Sequence, residues 1–569
     1  MPLFAHARAG LAVGNRPGTS VVVSVFMKRL LLWVLLLPLF ARAEVRLPAV
    51  FSDHLVLQRE AAVPVWGWAP AGEEITVEFA GQTKTATTNA AGQWRVKLDP
   101  LAASAEPREL KIGKRVLKDV LVGEVWLASG QSNMGFPLAS AHRAGQALAS
   151  ADDPLLRFFT VQNATAAQPQ TDLRGRWEPS TPHTAKSFSA VAYFFARDLR
   201  AKLGVPVAIL HSSWGGTPAQ AWLSMEALRE SPPFENYVKA YDAALVKHRD
   251  VLAHPERMAA YRRDLAQWRK EVAPAFNEAM KQWNAGPKTT PKPVPARPEP
   301  ANPDPMDIPS PSSRPGTPSV IFNARISPLT GYAMRGAIWY QGEANASNSI
   351  EYRTLLPRLI GDWRKRWSQG DFPFLVVQLA AWDMDKNPAP QHHWPWLREA
   401  QAMTVQSVPN TALAVAIDVG DPKDVHPKGK EPIGQRLALA ARKLAYGESA
   451  LVASGPAFRA AKAEGARMRV TFTDIGSGLT VGQAPWRAEG DAPWPQDKLI
   501  GFTLAGEDRR WHDAEARIEG DTVVVSSPAV AKPIAVRYGW ANSPRCNLYN
   551  RDALPAVPFR SDDWAMPKK

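Results

Sequence analysis

Short runs of alternating apolar and polar residues fill the chain between residue 44 and about residue 118. Runs such as VPVWGWA, EITVEFA and QWRVKL are separated by the turn-forming segments AGEE, GQ and NAAGQ. An alternation with a period of two, broken by glycine and asparagine, is typical of β-strands joined by tight turns. The pattern predicts an N-terminal, sandwich-like all-β domain over residues 44–118.

From Val120 the pattern changes to continuous apolar runs that alternate with amphipathic stretches. The apolar runs are VLVGEVWLAS, VPVAILHSSW, AMRGAIWYQGE, FPFLVVQLAAW and TALAVAIDVG. Between them lie helical patterns such as AVAYFFARDLRAKLG, YRTLLPRLIGDWRKRW and GKEPIGQRLALAARKLAYG. Apolar strands that alternate with amphipathic helices indicate a parallel sheet covered by helices on both faces. We therefore expect an α/β domain over residues 119–445.

Two segments interrupt this domain, and a third region follows it. Residues 224–284 are charged and helical in pattern, which predicts a helical hairpin inserted into the α/β unit. Residues 287–318 hold 12 of the 51 prolines, as expected of an extended loop or linker. Strand-like runs such as RMRVTFTD, KLIGFTLAG and PIAVRYGW then predict a C-terminal β domain over residues 446–569.

The N-terminal 43 residues have the pattern of an export signal. Met27, Lys28 and Arg29 precede the apolar run LLLWVLLLPLF, and an Ala-x-Ala site ends at Ala43. A charged start, a short apolar stretch and a small-residue site are typical of a secretory signal peptide. The apolar run is too short for a stable transmembrane helix. We expect residues 1–26 to be an upstream extension and the mature protein to begin near Glu44, in the periplasm or outside the cell.

Composition narrows the function classes. Hydrophobic residues at 45% and charged residues at 21% are those of an ordinary globular protein. The single cysteine, Cys546, excludes an intramolecular disulfide framework and a cysteine-based metal site. Lys and Arg exceed Asp and Glu by 68 to 54, but the basic residues are scattered rather than gathered into a stripe, which argues against a nucleic-acid partner. The sequence leaves the oligomeric state open.

Polar groups follow four of the predicted strands, at the edge where open α/β sheets bind their ligands. The first group is GQSNM, which places Ser132 on a turn between a strand and a helix. A serine on such a turn presents its hydroxyl above the sheet, and its amide points to where an oxyanion can form. The alternative is that Ser132 only caps the helix, because serine is a preferred N-cap residue.

Two further strand ends offer hydrogen-bond donors. Gly215 and Gly216 in SWGGTP permit a backbone amide to approach a ligand closely, although a plain turn would use the same residues. Asn345 in YQGEANA has a side-chain amide that can donate to an oxyanion as a backbone N–H does. The alternative for Asn345 is an ordinary loop residue or helix cap.

The fourth strand end supplies a candidate base. His426 lies in DVGDPKDVHP, close in sequence to Asp418, Asp421 and Asp424. Activation of a serine hydroxyl requires an imidazole within hydrogen-bond reach, oriented by a carboxylate. The alternative is a solvated surface pair of histidine and acid. The four groups together favour a serine hydrolase over four unrelated loops.

The blocks GQSNM, SWGGTPAQAW, IWYQGEANA and DVHPKGKEPIGQRLALAA closely resemble the sialate O-acetylesterase-like branch of the SGNH (GDSL-type) hydrolases. That branch includes bacterial sialic-acid and plant-polysaccharide acetylesterases. The resemblance covers residues 45–569 except for 224–318. It implies a three-layer α/β/α domain with a parallel sheet, a carbohydrate O-acetylesterase activity, an acetylated carbohydrate as the partner, and no metal or organic cofactor.

By this resemblance Ser132 is the nucleophile and His426 the general base. The implied oxyanion donors are the Ser132 amide, the Gly215 amide with Gly216 as the alternative, and the Asn345 side chain. Many members of the family place an acid three residues before the histidine, where this chain has Lys423. Asp424 is the favoured partner of His426, while Asp421, another carboxylate or a carbonyl remains an alternative. Further expected substrate contacts are Gln131, Trp214, Gly216, Gln341 and Glu343.

Other readings remain open beside the carbohydrate esterase. The chain is alternatively a non-catalytic carbohydrate-binding protein on a hydrolase scaffold, or an esterase for acyl groups that are not on sugars. Glu343 together with an aspartate would imitate the carboxylate pair of a glycosidase. Six tryptophans near the strand ends are candidates for a sugar-binding cleft or for plain core packing: Trp214, Trp222, Trp339, Trp382, Trp394 and Trp396.

Overall fold

The structure is a computed structural model that describes residues 44–286, 293, 314–383, 393–490 and 493–566. The predicted extension and signal peptide, and most of the proline-rich segment 287–318, lie outside these ranges. Within the described ranges, no helix has the length and apolar character needed to cross a membrane. The cleavage after Ala43 and the extended state of the proline-rich segment therefore stay predictions.

The first part of the described chain is built from strands, as the alternating pattern predicts. The seven strands are β1 (Val56–Gln58), β2 (Val63–Trp68), β3 (Glu74–Phe79), β4 (Gln82–Thr87), β5 (Gln93–Leu98), β6 (Ser104–Ile112) and β7 (Arg115–Gly130). In β5 the side chains of Trp94, Val96 and Leu98 are buried and the residues between them are exposed. Alternate side chains of a strand point to opposite faces, so this pattern covers one face of a sheet. The predicted N-terminal β architecture is confirmed.

Within the described residues, a central sheet contains β7 and six further strands. These are β8 (Asp153–Thr160), β9 (Trp177–Ser180), β10 (Val207–Ser213), β11 (Gly336–Tyr340), β12 (Phe374–Val377) and β13 (Thr411–Ala414). The order is β13-β12-β11-β7-β10-β8-β9, and neighbours run parallel except for β8 and β9. The strands that follow β7 in the chain, β8 to β10, lie on one side of it, and the later strands β11 to β13 lie on the other side. A crevice therefore opens at the carboxyl end of β7, where such sheets bind ligands.

Helices cover both faces of the central sheet. The helices are α1 (Ser132–Gly135), α2 (Ala144–Ala149), α3 (Pro182–Lys186), α4 (Ala190–Leu203), α5 (Met225–Arg229), α6 (Glu235–Ala253), α7 (Pro255–Glu271), α8 (Ala273–Ala285), α9 (Ser349–Trp367), α10 (His393–Ser407) and α11 (Glu431–Ala445). Ile338 of β11 belongs to the core formed with α4 and α11, and Trp339 to the core formed with α9 and α10. The predicted three-layer α/β/α domain with a largely parallel sheet is confirmed.

One long strand, β7, belongs to both the N-terminal and the central sheet. Its first residues pair with β6, and residues 124–130 pair with β10. The expected boundary between residues 118 and 119 falls inside this strand. The division of the chain into the expected domains stays a prediction.

The helical insertion contains three long helices, α6 to α8, where we expected a hairpin of two. Pro255 is the first residue of α7, and Pro274 is the second residue of α8. Proline lacks an N–H and is tolerated in the first turn of a helix but not in its interior. The two prolines therefore divide the charged helical pattern into three helices.

The C-terminal part of the chain returns to strands. The strands among its described residues are β14 (Ala457–Glu464), β15 (Arg467–Thr473), β16 (Leu479–Val481), β17 (Phe502–Ala505), β18 (Trp511–Asp513), β19 (Glu515–Glu519), β20 (Thr522–Ser526), β21 (Ala535–Tyr538), β22 (Leu548–Asn550) and β23 (Phe559–Arg560). Side chains join this region to the α/β unit: the Tyr549 hydroxyl donates to Asp418 at 2.8 Å, and Arg398 donates to the Ala541 carbonyl at 2.7 Å. The predicted C-terminal β architecture is confirmed.

Candidate active site

Ser132 lies at the tight turn that follows β7. Gly130 has a φ of 135°, and a Cβ on it would lie 2.1 Å from the Tyr340 carbonyl oxygen, so this position requires glycine. The Gln131 amide donates to the same carbonyl at 3.0 Å and holds the turn against β11. Gln131 occupies the N-cap position, and Ser132 is the first residue of α1. The alternative in which Ser132 serves as the helix cap is therefore wrong.

The turn places Ser132 next to His426. The Ser132 Oγ atom lies 2.8 Å from His426 Nε2, although 294 positions separate the two residues in the chain. A hydroxyl that donates to Nε2 needs that nitrogen unprotonated, which is the state required of a general base. The structure thus brings the expected nucleophile and base together, while their catalytic roles remain to be tested.

Asp424 faces the other side of the His426 ring. Its Oδ1 atom lies 3.5 Å from His426 Nδ1 and accepts the His426 backbone amide at 2.9 Å. The Asp421 carboxylate instead accepts the amide of Lys423 at 2.8 Å, in a local turn. Asp418 is buried in an ion pair elsewhere. Of the three aspartates near His426 in sequence, Asp424 is the one placed to orient its ring.

Ser132 and His426 line a cavity of about 640 Å³, together with Trp214, Gly215 and Asp424. A Cβ on Gly215 would lie 3.3 Å from the Ser132 Cβ, so the Gly215 backbone passes directly beside the serine. A Cβ on Gly216 would have no neighbouring atom within 4 Å. Gly215 is therefore the nearer candidate donor. The Ser132 amide, at the start of α1, has no acceptor within that helix.

Asn345 and Gln341 lie in a buried network that does not line this cavity. The Asn345 Nδ2 atom donates to Gln220 Oε1 at 3.0 Å, and its Oδ1 atom accepts from Gln341 Nε2 at 2.8 Å. Gln341 also donates to the Thr217 carbonyl at 3.2 Å. In this arrangement the Asn345 amide supports the loop after β10. Its expected donation to an oxyanion stays a prediction.

Gln131 and Glu343 also lie outside the cavity lining. Gln131 Oε1 accepts the Ala344 amide at 3.2 Å, which ties the serine turn to the loop after β11. Glu343 Oε1 accepts from Asn133 at 2.6 Å. Burial raises the pKa of Glu343 in spite of this hydrogen bond. The expected contacts of Gln131, Gly216, Gln341 and Glu343 with substrate stay predictions.

Asn133 joins the serine turn to the histidine loop, and the sequence analysis did not single it out. Its Nδ2 atom donates to the Val425 carbonyl at 2.9 Å, and its Oδ1 atom accepts from Lys430 Nζ at 2.5 Å. Lys430 is fully buried, and burial lowers its pKa to about 7. Asn133 therefore fixes the residue after Ser132 relative to the residue before His426. The feature of the sequence that could have indicated a role for Asn133 is its position directly after Ser132 in GQSNM.

A second serine–histidine pair lines the same cavity. His211 Nε2 lies 2.8 Å from Ser213 Oγ, and both residues are in β10. Residues two apart on a strand face the same side of the sheet. The sequence His-Ser-Ser at residues 211–213 therefore indicated that His211 and Ser213 could meet. Burial, with a further contribution from the Arg325 charge, lowers the pKa of His211 to about 3. This imidazole is therefore neutral in the neutral pH range.

Arg325 contributes a buried positive charge to the cavity wall. It donates to the Ser213 carbonyl at 3.0 Å and to Asn163 Oδ1 at 2.9 Å. Burial lowers its pKa to about 9, so it stays charged near neutral pH. Nothing in the sequence pointed to this residue, which follows the proline-rich segment.

Most of the six candidate tryptophans belong to the core. Trp222, Trp339 and Trp394 are at most 1% exposed, and Trp396 is 3% exposed. Trp214 lines the cavity, and the Arg325 guanidinium lies 5.6 Å from its ring centroid. The described residues contain no cluster of three or more His, Cys, Asp or Glu side chains suited to a metal ion.

The three-layer fold, with a serine–histidine pair at the carboxyl end of its central strand, is that of the SGNH-type hydrolases. A family model for the carbohydrate esterases, sialic acid-specific acetylesterases, matches residues 319–443. The crystal structure of a carbohydrate acetylesterase from Xanthomonas citri is similar, with 36% identity, a TM-score of 0.72 and coverage of 92% of this chain and 100% of that one.

Curated relatives agree with the structural neighbour. The sialate O-acetylesterase of Rattus norvegicus is 28% identical over 561 residues, which cover 90% of this chain and 94% of the relative. The Homo sapiens sialate O-acetylesterase is 27% identical over 566 residues, covering 90% and 92%. The chain belongs to the sialate O-acetylesterase family of carbohydrate esterases. The expected family and enzyme class, carbohydrate O-acetylesterase, are confirmed.

Proposed function

We propose that this chain is an exported serine esterase that removes O-acetyl groups from a carbohydrate through Ser132 and His426. The observation that carries the proposal is the 2.8 Å contact between Ser132 Oγ and His426 Nε2. That contact lies at the wall of an open cavity, in a member of a carbohydrate esterase family. A cavity of this size accommodates a sugar together with its ester.

In the first step Ser132 Oγ attacks the carbonyl carbon of the acetyl ester. The hydroxyl proton passes to His426 Nε2, which lies 2.8 Å from the Ser132 oxygen. The Asp424 carboxylate, 3.5 Å from Nδ1, stabilises the imidazolium that forms. Because Asp424 is half exposed, water screens this interaction and weakens its contribution.

The negative charge of the tetrahedral intermediate needs donors beside Ser132. The amides of Ser132 and Gly215 supply two of them, since the Ser132 amide lies at the start of α1 and the Gly215 backbone passes beside the Ser132 side chain. Asn345 is the third predicted donor, and it would have to exchange its bond to Gln220 for one to the oxyanion. The buried charge of Arg325 on the cavity wall favours the same negative charge over a longer distance.

The intermediate then collapses and the acetyl group stays on Ser132. The C–O bond to the sugar breaks, and the departing oxygen takes the proton from His426 Nε2. A water molecule next donates a proton to His426 and attacks the acetyl carbonyl. A second tetrahedral intermediate releases acetate and restores the Ser132 hydroxyl.

Asn133 and Lys430 act in this scheme as positioning residues. The two amide hydrogens and the carbonyl of Asn133 are bound to Glu343, Val425 and Lys430. This network holds the serine turn in register with the histidine loop. A displacement of either by about 1 Å would lengthen the hydroxyl–imidazole contact and slow the reaction.

The test of the proposed function is the release of acetate and of p-nitrophenol. Wild-type protein should hydrolyse p-nitrophenyl acetate, and Ser132→Ala should not. Equal rates would instead indicate a non-catalytic carbohydrate-binding protein. Acetate release should then be compared for O-acetylated sialic acid, acetylated xylan, acetylated xyloglucan fragments and a butyryl ester. Faster cleavage of the butyryl ester would indicate an esterase for other acyl groups.

Export is part of the proposal and is supported by the sequence of the first 43 residues. Expression in a Gram-negative host, followed by fractionation and N-terminal sequencing, tests it. We expect the mature protein in the periplasm or medium with Glu44 as its first residue. Full-length protein retained in the cytoplasm would show that the N-terminal segment is not a signal peptide.

A further inference from the structure

The C-terminal β region reaches the histidine loop through residues 482–490 and 493–498. The Trp486 ring packs on Gly429, where a Cβ would lie 2.9 Å from the ring. Gly429 follows His426 by three residues, and an extended chain spans at most about 3.6 Å per residue. Trp486 is therefore in contact with a residue within about 11 Å of the candidate base.

Beside this contact lies a second pocket of about 310 Å³, hereafter the tryptophan pocket. Its lining includes Trp486, Trp494, His142, Gln483 and Gln496. The His142 amide donates to the Lys428 carbonyl at 2.8 Å, so this wall is attached to the histidine loop as well. The same loop that presents His426 to the active-site cavity thus contacts two residues, Trp486 and His142, that line the tryptophan pocket.

The segment that forms the pocket is held by a buried side chain. Asn547 is fully buried, and its Nδ2 atom donates to the carbonyls of Pro495 at 2.9 Å and Lys498 at 3.0 Å. Its Oδ1 atom accepts the Ile500 amide at 2.8 Å. These three bonds fix the backbone after Trp494, so the pocket is formed before any ligand binds.

The lining has the chemistry that binds a sugar ring. A pyranose presents C–H groups on its faces and hydroxyls at its rim. Indole rings offer flat apolar surfaces to the faces, and glutamine amides both donate to and accept from hydroxyls. Trp494 is partly exposed in the pocket, whereas Trp486 is 9% exposed and forms its inner wall.

We propose that the tryptophan pocket binds a sugar unit of an oligosaccharide whose acetylated unit lies at Ser132. This inference rests on the proposed function, and it adds that the substrate is a chain of sugars. The C-terminal β region then contributes directly to substrate binding. A free acetylated monosaccharide would occupy the active-site cavity alone and leave the tryptophan pocket empty.

Binding to the inactive parent Ser132→Ala tests the pocket separately from catalysis. Xylohexaose and a xyloglucan heptasaccharide are titrated calorimetrically into this protein and into Ser132→Ala combined with Trp494→Ala. We expect the second substitution to weaken binding about tenfold, the loss typical of a central aromatic contact, and Trp494→Phe to restore part of it. The matched control is Trp564→Ala, which removes a partly exposed tryptophan of the same β region that does not line the pocket.

Equal affinity with and without Trp494, or no binding of either oligosaccharide to the parent, would overturn the inference. Binding of N-acetylneuraminic acid that depends on Trp494 would also overturn it, because a single sugar would then occupy the pocket. In the active protein, Trp494→Ala should raise KM for acetylated xylan more than KM for p-nitrophenyl acetate, because p-nitrophenyl acetate carries no further sugar unit to occupy the tryptophan pocket. If wild type and Ser132→Ala release acetate equally, the proposed function fails while the binding result still stands.

Discussion

Two serine–histidine pairs line one cavity and share one distance, yet they differ in chemistry. Ser132 Oγ lies 2.8 Å from His426, and Ser213 Oγ lies 2.8 Å from His211. The His426 side chain is 36% exposed and faces the Asp424 carboxylate. His211 is 8% exposed, and its Nδ1 atom is buried without a hydrogen-bond partner.

The difference shows that the surroundings of the imidazole, and not the contact distance, separate a base from a structural histidine. A general base must carry a positive charge after it accepts the proton. Around His211, burial and the neighbouring Arg325 both oppose that charge and lower the pKa to about 3. Around His426, solvent and a carboxylate stabilise it. Only the Ser132 pair is suited to acyl transfer.

The largest expected effect comes from removing one serine of each pair. Ser132→Ala should reduce kcat/KM for p-nitrophenyl acetate by about 10⁴–10⁶-fold, because the nucleophile is lost. The kcat/KM of Ser213→Ala should stay within about tenfold of the wild-type value, since only a residue of the cavity wall changes. Initial rates of p-nitrophenol release measure both. A larger loss from Ser213→Ala than from Ser132→Ala would reverse the assignment.

The two histidines give the next contrast. His426→Gln should lower kcat by about 10²–10⁴-fold, the usual contribution of a general base. His211→Gln keeps a hydrogen-bond donor and acceptor toward Ser213, and its kcat should remain within about tenfold of wild type. Circular dichroism should show native spectra for both variants. Comparable losses of kcat in two folded variants would be incompatible with a single catalytic pair.

A smaller effect is expected at Asp424. Its carboxylate is 3.5 Å from His426 Nδ1 and half exposed, so Asp424→Asn should lower kcat by about two- to fivefold. Asp421→Asn is the matched control, because its carboxylate accepts the Lys423 amide instead. Rates at low and high ionic strength should show a salt-dependent contribution from Asp424 alone. If Asp421→Asn were the slower variant, Asp421 would be the orienting acid.

The last expected effect is on stability and not on rate, at the network that joins the Ser132 turn to the His426 loop. Burial lowers the pKa of Lys430 to about 7, whereas the lysine of an unfolded chain keeps about 10.4. Between these values the unfolded chain binds more protons, so the contribution of Lys430 to the free energy of unfolding rises with pH. In Lys430→Met this pH-dependent contribution to the free energy of unfolding should be absent.

Guanidinium unfolding of wild type and Lys430→Met at about pH 7 and about pH 9.5 measures this linkage. The wild type should gain stability relative to the variant as the pH increases. A difference that stays constant across this range would show that Lys430 does not change its protonation in the folded protein.

The proximity of Ser132 and His426 could be predicted from the sequence, because the order of the strands in the sheet largely determines where the two residues lie. Ser132 directly follows a central strand, and His426 lies in the loop after the edge strand of the same parallel sheet. The carboxyl ends of parallel strands lie at one edge of the sheet. The backbone positions of Ser132 and His426 therefore lie at that edge independently of their side-chain conformations.

Side-chain direction could not be predicted in the same way. Asn345 stands in the expected block, yet its amide turns to Gln220 through a contact between distant loops. Arg325 follows a proline-rich segment without periodicity, so no pattern indicated that it would reach the cavity. Trp486 and Trp494 come from the C-terminal β region, and only the tertiary fold places them beside the histidine loop.

Covalent labelling tests the central claim most directly. Wild-type protein is inactivated with a fluorophosphonate, digested with trypsin, and the modified residue is located by mass spectrometry. The account predicts one phosphonate per inactivated molecule, on Ser132, with His426→Gln labelled far more slowly. A label on Ser213, or inactivation that leaves Ser132 unmodified, would contradict it.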